Sequence, residues 1–171
     1  MDNLIDAVMQ PPAIRPHFVA AHRSYRFTWN KPNVDAEGVV RGYLASECGP
    51  RIRRISGFSK RLGWYWIRDH TIRIGKIEKY VDETAYYRVL FHELAHSTMK
   101  GCVARPWRLH DAREEALAEV TSLVLLDRVG LLTDSSLERS RRYRLLEFPN
   151  VDLRDVLPQV NANIVKLTGK Q

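Results

Sequence analysis

The sequence predicts one domain of the α+β class, in which a small sheet precedes most of the helices. Two short runs rich in β-branched and aromatic residues, WYWI at 64–67 and TIRI at 71–74, are typical of strands joined by a hairpin turn. From residue 82 onward, apolar side chains recur at helical spacing. A chain of 171 residues, 44% of them hydrophobic, can bury one core, so a single domain over residues 1–171 is expected.

The first half of the chain should hold an irregular segment, one helix and the sheet. Residues 1–34 contain several prolines, which predicts an irregular N-terminal segment. Residues 35–80 should form a helix from Asp35 to Glu47, followed by two or three strands between residues 51 and 75.

Helices should occupy the second half. Asp82 and Asp111 are typical N-caps of two helices that together make up residues 81–130. Residues 131–171 favour a short helix and a last one kinked at Pro158.

The segment FHELAHSTMKG, residues 91–101, carries the main functional signal. His92 and His96 are four residues apart, and residues at this spacing lie on one face of a helix, so both rings can reach a common metal ion. Glu93 is rotated by about 100° from His92 and would stand beside the ion, where it can hold a water molecule. The pattern predicts a zinc site with Glu93 as the catalytic base.

The next helix offers further candidates for this site. Glu115 lies 19 positions after His96 and can supply an oxygen ligand. Glu119, one turn later, is a candidate acceptor for a ring N–H of either histidine. His110 is an alternative third ligand, and a solvated helix face is the alternative for the glutamates.

A donor to the oxyanion of the transition state is also expected near the metal. The residues alone do not choose among three candidates: His110, Tyr86 and Tyr87.

The order of these motifs resembles the zincin-like metallopeptidase domain at the C-terminal end of ArdC-type antirestriction proteins. The resemblance is carried by Tyr86-Tyr87, HELAH at 92–96, Arg108-Leu109 and EEALAE at 114–119, and it is close from Trp64 to Leu126. It implies a zincin-like fold, in which a two- or three-stranded sheet packs on the HExxH helix, a glutamate-bearing helix follows, and the C-terminus is helical.

The same resemblance implies a function and a ligand set. The protein would be a zinc-dependent metallopeptidase of the gluzincin type, with one Zn²⁺ bound by His92, His96 and Glu115, and with Glu93 as the base. The substrate would be a protein or peptide. In zincins generally an extended substrate pairs with an edge strand, a part that Thr71–Gly75 would take here.

A net charge of +7 suggests an anionic partner, but it does not specify one. The alternative function is a non-catalytic zincin-like module of antirestriction or mobile-element type that binds DNA or a protein. Two short clusters are candidate nucleic-acid contacts, although a solvated surface is favoured for both: Arg51, Arg53, Arg54, Arg141, Arg142 and Arg144. Core packing is likewise favoured over base stacking for Trp64 and Trp66.

The N-terminal sequence lacks the basic and apolar parts of a signal peptide, and no apolar run reaches membrane-spanning length, so a cytoplasmic location is expected. Cys48 and Cys102 are far apart and in no CxxC pair, which predicts free thiols.

Overall fold

The computed structural model describes residues 1–12, 32–56, 62–99 and 111–169. These residues contain six α-helices and three strands, and the predicted α+β class is confirmed. In chain order the elements are α1 (Asp2–Met9), α2 (Val34–Leu44), β1 (Arg51–Ile55), β2 (Gly63–Trp66), β3 (Thr71–Gly75), α3 (Glu83–Met99), α4 (Ala112–Arg128), α5 (Asp134–Glu147) and α6 (Leu157–Thr168), with 3₁₀ turns at Ile77–Lys79 and Leu153–Val156.

The three strands form one sheet in the order β1-β3-β2. β2 and β3 are antiparallel neighbours, as the predicted hairpin requires, whereas β1 runs parallel to β3. β3 is therefore the central strand, and the expectation that Thr71–Gly75 is an edge strand is wrong. The edges of the sheet are β1 and β2, because a crossover inserts β3 between them.

The core lies between the sheet and the helices. Ile72 and Ile74 on β3 are fully buried, as are Leu90 and Phe91 on α3. α3 packs against β2 and β3 on one side and along α4 on the other, while α6 covers α2, α3 and α4. The HExxH helix is thus held by tertiary contacts on several sides, which restricts the orientation of its polar face.

Local capping signals explain where the two site helices begin. Asp82 accepts a hydrogen bond from the backbone N–H of Ala85 at 2.6 Å, and Asp111 accepts one from Glu114 at 2.7 Å. Both predicted N-caps are confirmed. Pro158, in contrast, lies in the first turn of α6, where its fixed φ is compatible with helix, and it produces no kink.

The N-terminus differs from the expectation of an irregular segment. Residues 2–9 form α1, whose Ile5 and Val8 are buried, and this helix packs on α5. Arg141 donates from Nε to the carbonyl of Ala7 at 2.7 Å, and Arg144 donates to the carbonyl of Met9 at 3.4 Å. These arginines therefore bind the C-terminal end of α1 and do not form a solvated cluster.

No helix among the described residues has the length and apolar character needed to cross a lipid bilayer. Cys48 is disulfide-bonded, so the expectation of a free thiol is wrong for this residue. Disulfides persist in oxidising compartments, and the expected cytoplasmic location stays a prediction.

Candidate metal centre

Three side chains from α3 and α4 converge on one point. Nε2 of His92 lies 3.1 Å from Nε2 of His96 and 3.3 Å from Oε2 of Glu115, and Nε2 of His96 lies 3.5 Å from Oε1 of Glu115. One ligand atom from each residue lies within 4.8 Å of the others, in a buried or half-buried position. The structure thus brings together the three residues that the sequence predicted, and the group could hold a metal ion.

The other ring nitrogens face two carboxylates on α4. Nδ1 of His92 lies 3.1 Å from Oε2 of Glu119, and Nδ1 of His96 lies 3.3 Å from Oε1 of Glu114. When each Nδ1 donates its proton in a hydrogen bond to its carboxylate, the Nε2 atoms, which lie at the common point, are left to bind a metal ion. Glu119 therefore has its predicted place, at His92. Glu114 has a part that sequence reasoning missed, because a carboxylate three residues after the N-cap Asp111 is explained by a capping box alone.

Glu119 is the centre of a buried polar network. Its Oε1 accepts hydrogen bonds from Arg88 at 2.6 Å and 3.0 Å, and from the hydroxyl of Ser140. Burial by itself raises the pKa of Glu119, but Arg88 and the hydrogen bonds from His92 and Ser140 lower it to about 2. The carboxylate is therefore ionised and fixed between a cation and an imidazole.

The imidazoles and the carboxylate at the convergence point stabilise each other's charged forms. Burial lowers the pKa of His92, but its hydrogen bonds to Glu115 and Glu119 outweigh burial and raise the pKa to about 10. Burial likewise opposes ionisation of Glu115, but hydrogen bonds from His92 and His96 hold the pKa of that carboxyl well below its usual range. In the metal-free protein a proton on His92 therefore neutralises Glu115, as a bound cation would.

Tyr143 on α5 is a site residue that the sequence did not predict. Its hydroxyl donates to Oε2 of Glu115 at 2.7 Å, and its ring meets the His92 ring edge-on at a centroid distance of 5.6 Å. Burial, reinforced by the charge of Glu115, raises the pKa of Tyr143, so its hydroxyl keeps its proton. The available signal was the three-residue spacing of Ser140 and Tyr143, which places both on one helix face. Both residues lie within the arginine cluster at 139–144, which drew attention to its charges instead.

The convergence point opens into a cleft of about 560 Å³. Glu93, the predicted base, is 8% exposed and lines this cleft together with His92, Tyr143 and residues 63–65 of β2. Gly63 on β2 makes the close approach to α3 possible. A Cβ at this position would lie 2.5 Å from Cγ1 of Val89 and 3.5 Å from Cγ of Glu93.

Two of the predicted oxyanion donors lie elsewhere. Tyr86 and Tyr87 are 2% and 0% exposed, neither lines the cleft, and the hydroxyl of Tyr87 donates to Oε1 of Glu37 at 2.8 Å. The structure therefore does not bring these two side chains to the cleft, because the helical phase directs them into the core. His110 and the Arg108-Leu109 pair lie outside the described residues.

Comparisons with family models, with curated proteins and with solved structures give no match, so what the site can do is argued from its geometry alone.

Proposed function

We propose that the protein is a zinc-dependent metallopeptidase that hydrolyses peptide bonds in a protein or peptide substrate. The observation that carries the proposal is the convergence of His92, His96 and Glu115 within 4.8 Å at a cleft that Glu93 also lines. A set of two imidazoles and one carboxylate is typical of catalytic zinc sites, which keep a position open for water or substrate. The zincin-like family, with its gluzincin ligand set, is part of the proposal.

Each residue of the cleft has a part in the proposed reaction. His92, His96 and Glu115 would hold the ion, which when bound supplies a Lewis acid and lowers the pKa of water to about 7. Glu93 accepts the proton of the attacking water and returns it to the leaving amine. The Tyr143 hydroxyl keeps its proton and donates a hydrogen bond to Glu115 in the substrate-free site. We assign it as the donor that exchanges this partner for the developing oxyanion.

β2 is an edge strand of the sheet that the described residues form, and this edge supports an extended peptide as substrate. Gly75 donates its N–H to the carbonyl of Leu62 at 2.8 Å, so in the antiparallel register Trp64 and Trp66 also form hydrogen-bonded pairs with β3. The backbone groups of Gly63 and Tyr65 then point away from β3, at the rim of the cleft. An added strand can hydrogen-bond to them.

Glu93→Gln tests the proposal, with Glu78→Gln as a matched control because Glu78 is exposed and lies on the 3₁₀ turn at Ile77–Lys79. We expect wild type and both variants to bind about one zinc ion per chain. Glu93→Gln should lower the rate of hydrolysis of unfolded casein and of a fluorogenic peptide library by about 100-fold or more, whereas Glu78→Gln should retain it.

The same experiment distinguishes the alternative, a non-catalytic module that binds DNA or a protein. Zinc-loaded wild type that cleaves no peptide bond, with no difference on changing Glu93, would contradict the metallopeptidase and favour the module.

A further inference from the structure

The face of the sheet opposite the core carries arginines and tryptophans in register. Arg51 and Trp66 flank Thr71 in one cross-strand row, and Arg53 and Trp64 flank Arg73 in the next. Directly paired residues point to the same face of a sheet.

Alternation along β3 shows which face this is. Gly63, which pairs with Ile74, faces Val89 on α3, so Ile72 and Ile74 point into the core. Thr71, which its neighbours cover to 1% exposure, and Arg73 therefore point the other way. We call the set of Arg51, Arg53, Arg73, Trp64 and Trp66 the arginine-tryptophan face.

Its side chains are arranged with the cations at one edge and the indoles at the other. Arg51 and Arg53 on β1 are exposed, and Trp66 on β2 is 39% exposed, whereas Tyr65 between the tryptophans is buried. Two strand spacings separate β1 from β2, which is about 10 Å. No strand residue on this face is acidic.

Arg73, at the centre, has unused hydrogen-bonding capacity. Its guanidinium lies 5.4 Å from the centroid of the Trp66 ring, and its buried Nε has no hydrogen-bond partner among the described residues. The guanidinium therefore places a positive charge against the Trp66 indole at the centre of the face.

We infer that the arginine-tryptophan face binds single-stranded nucleic acid. The arginines match the charge of a phosphate backbone, and the exposed indole of Trp66 offers a flat surface on which an unpaired base can stack. A base inside a duplex is already stacked and cannot reach the indole. The net charge of +7 adds long-range attraction for such a polyanion. This inference is independent of the proposed peptidase activity.

The experiment measures binding of a fluorescein-labelled deoxythymidine oligomer of about 12 nucleotides, a length within the range of single-strand sites. Fluorescence anisotropy gives the affinity at several salt concentrations, and quenching of tryptophan emission reports stacking. We expect Trp66→Ala to weaken binding by roughly 5- to 100-fold and Trp66→Phe, which retains an aromatic ring, by much less.

Charge is tested with two double variants that remove the same number of positive charges. Arg51→Gln with Arg53→Gln should weaken binding and reduce the salt slope by about 1.4, which corresponds to two lost phosphate contacts on a single strand. Arg128→Gln with Arg142→Gln removes two exposed arginines from α4 and α5 and should leave the slope unchanged. All four positions are exposed, so circular dichroism should report a folded protein in every case.

Three outcomes would overturn the inference. One is no binding of the oligomer by wild type, and another is equal loss in the two double variants. The third is binding of polyglutamate as tight as that of the oligomer and insensitive to Trp66→Ala, which would assign the face to an acidic protein. Each readout is obtained without peptide hydrolysis, so the result does not depend on the fate of the metallopeptidase proposal.

Discussion

Four glutamates lie around the two histidines, and each has a different environment. Glu93 lines the cleft, Glu115 contacts both Nε2 atoms, and Glu119 and Glu114 each contact one Nδ1. Chemically identical side chains are thus distinguished by position on two helices. The carboxylates at Nδ1 act on the candidate metal site through the histidines, because they set which nitrogen carries the proton.

Replacing these outer carboxylates should weaken metal binding without removing a ligand. We expect Glu119→Gln and Glu114→Gln to lower zinc affinity by about 10- to 100-fold, measured by competition with a chromophoric chelator. Glu78→Gln, on the exposed 3₁₀ turn, is the control and should bind zinc as wild type does. Equal affinity in all three variants would show that Nδ1 contacts do not orient the rings.

Tyr143→Phe should separate rate from metal binding. The substitution retains the ring that packs on His92 and removes the hydroxyl beside Glu115. We expect kcat to fall by about 100-fold, while zinc content stays close to one per chain. Tyr87→Phe is a useful comparison, because it removes a partly buried hydrogen bond to Glu37 and should lower stability but not kcat. The assignment of Tyr143 fails if the two variants have equal rates.

At the scale of elements, β2 lies close to α3 because residue 63 has no side chain. Gly63→Ala would place a Cβ 2.5 Å from Cγ1 of Val89, so the strand or the helix must shift. We expect a lower kcat/KM and a loss of about 1–3 kcal/mol of unfolding free energy. Adding Val89→Ala should restore both, since it removes the clashing atom.

Gly38→Ala is the control for this experiment. A Cβ at Gly38 meets nothing within 4 Å, and Gly38 lies within α2, where alanine is favoured over glycine by roughly 0.5–1 kcal/mol. If Gly63→Ala behaves like Gly38→Ala, the close approach of β2 to α3 does not constrain the cleft.

The contact between α1 and α5 depends on arginines that resemble a surface cluster in the sequence. Arg141→Ala should lower the unfolding free energy by about 2 kcal/mol, because its guanidinium donates to the carbonyl of Ala7 at 2.7 Å. Arg142→Ala, which removes an exposed pair with Glu138, should change it by less than about 0.5 kcal/mol. Denaturant unfolding of both variants measures the difference, and equal losses would contradict a specific contact.

At the scale of the whole molecule, a metal ion that joins α3 to α4 should stabilise the fold. Zinc at about 1,000 times its Kd should raise the unfolding free energy by about 4 kcal/mol, seen as a higher Tm that a chelator reverses. Glu115→Ala should abolish most of this shift. An unchanged Tm in wild type with excess zinc would contradict a bound ion.

This stabilisation should depend on pH. The pKa of His92 is raised from 6.5 to about 10 in the metal-free fold, so its proton stabilises that fold fully below pH 6.5 and ceases to do so as the pH rises through about 10. Zinc must displace the proton, and the zinc-induced increase in Tm should therefore grow with pH over this range. A pH-independent increase would show that His92 is not protonated without metal.

Much of the candidate site could be predicted from the sequence, since its main signals are local. The four-residue spacing of His92 and His96 and the N-caps Asp82 and Asp111 depend only on helix geometry. Glu115 and Glu119 could be predicted because α4 returns along α3, so that one turn of α4 faces both rings.

What the sequence by itself determined is therefore the class of the fold, the course of the two site helices and the residues that they direct at one point. Only the tertiary structure decided that β3 is central, that Tyr143 rather than Tyr86 or Tyr87 reaches the site, and that Arg141 binds α1. The physical reason is the distance along the chain over which each kind of interaction acts. Helical spacing and capping act within a few residues, whereas strand order and contacts with α5 depend on packing between segments far apart in the chain.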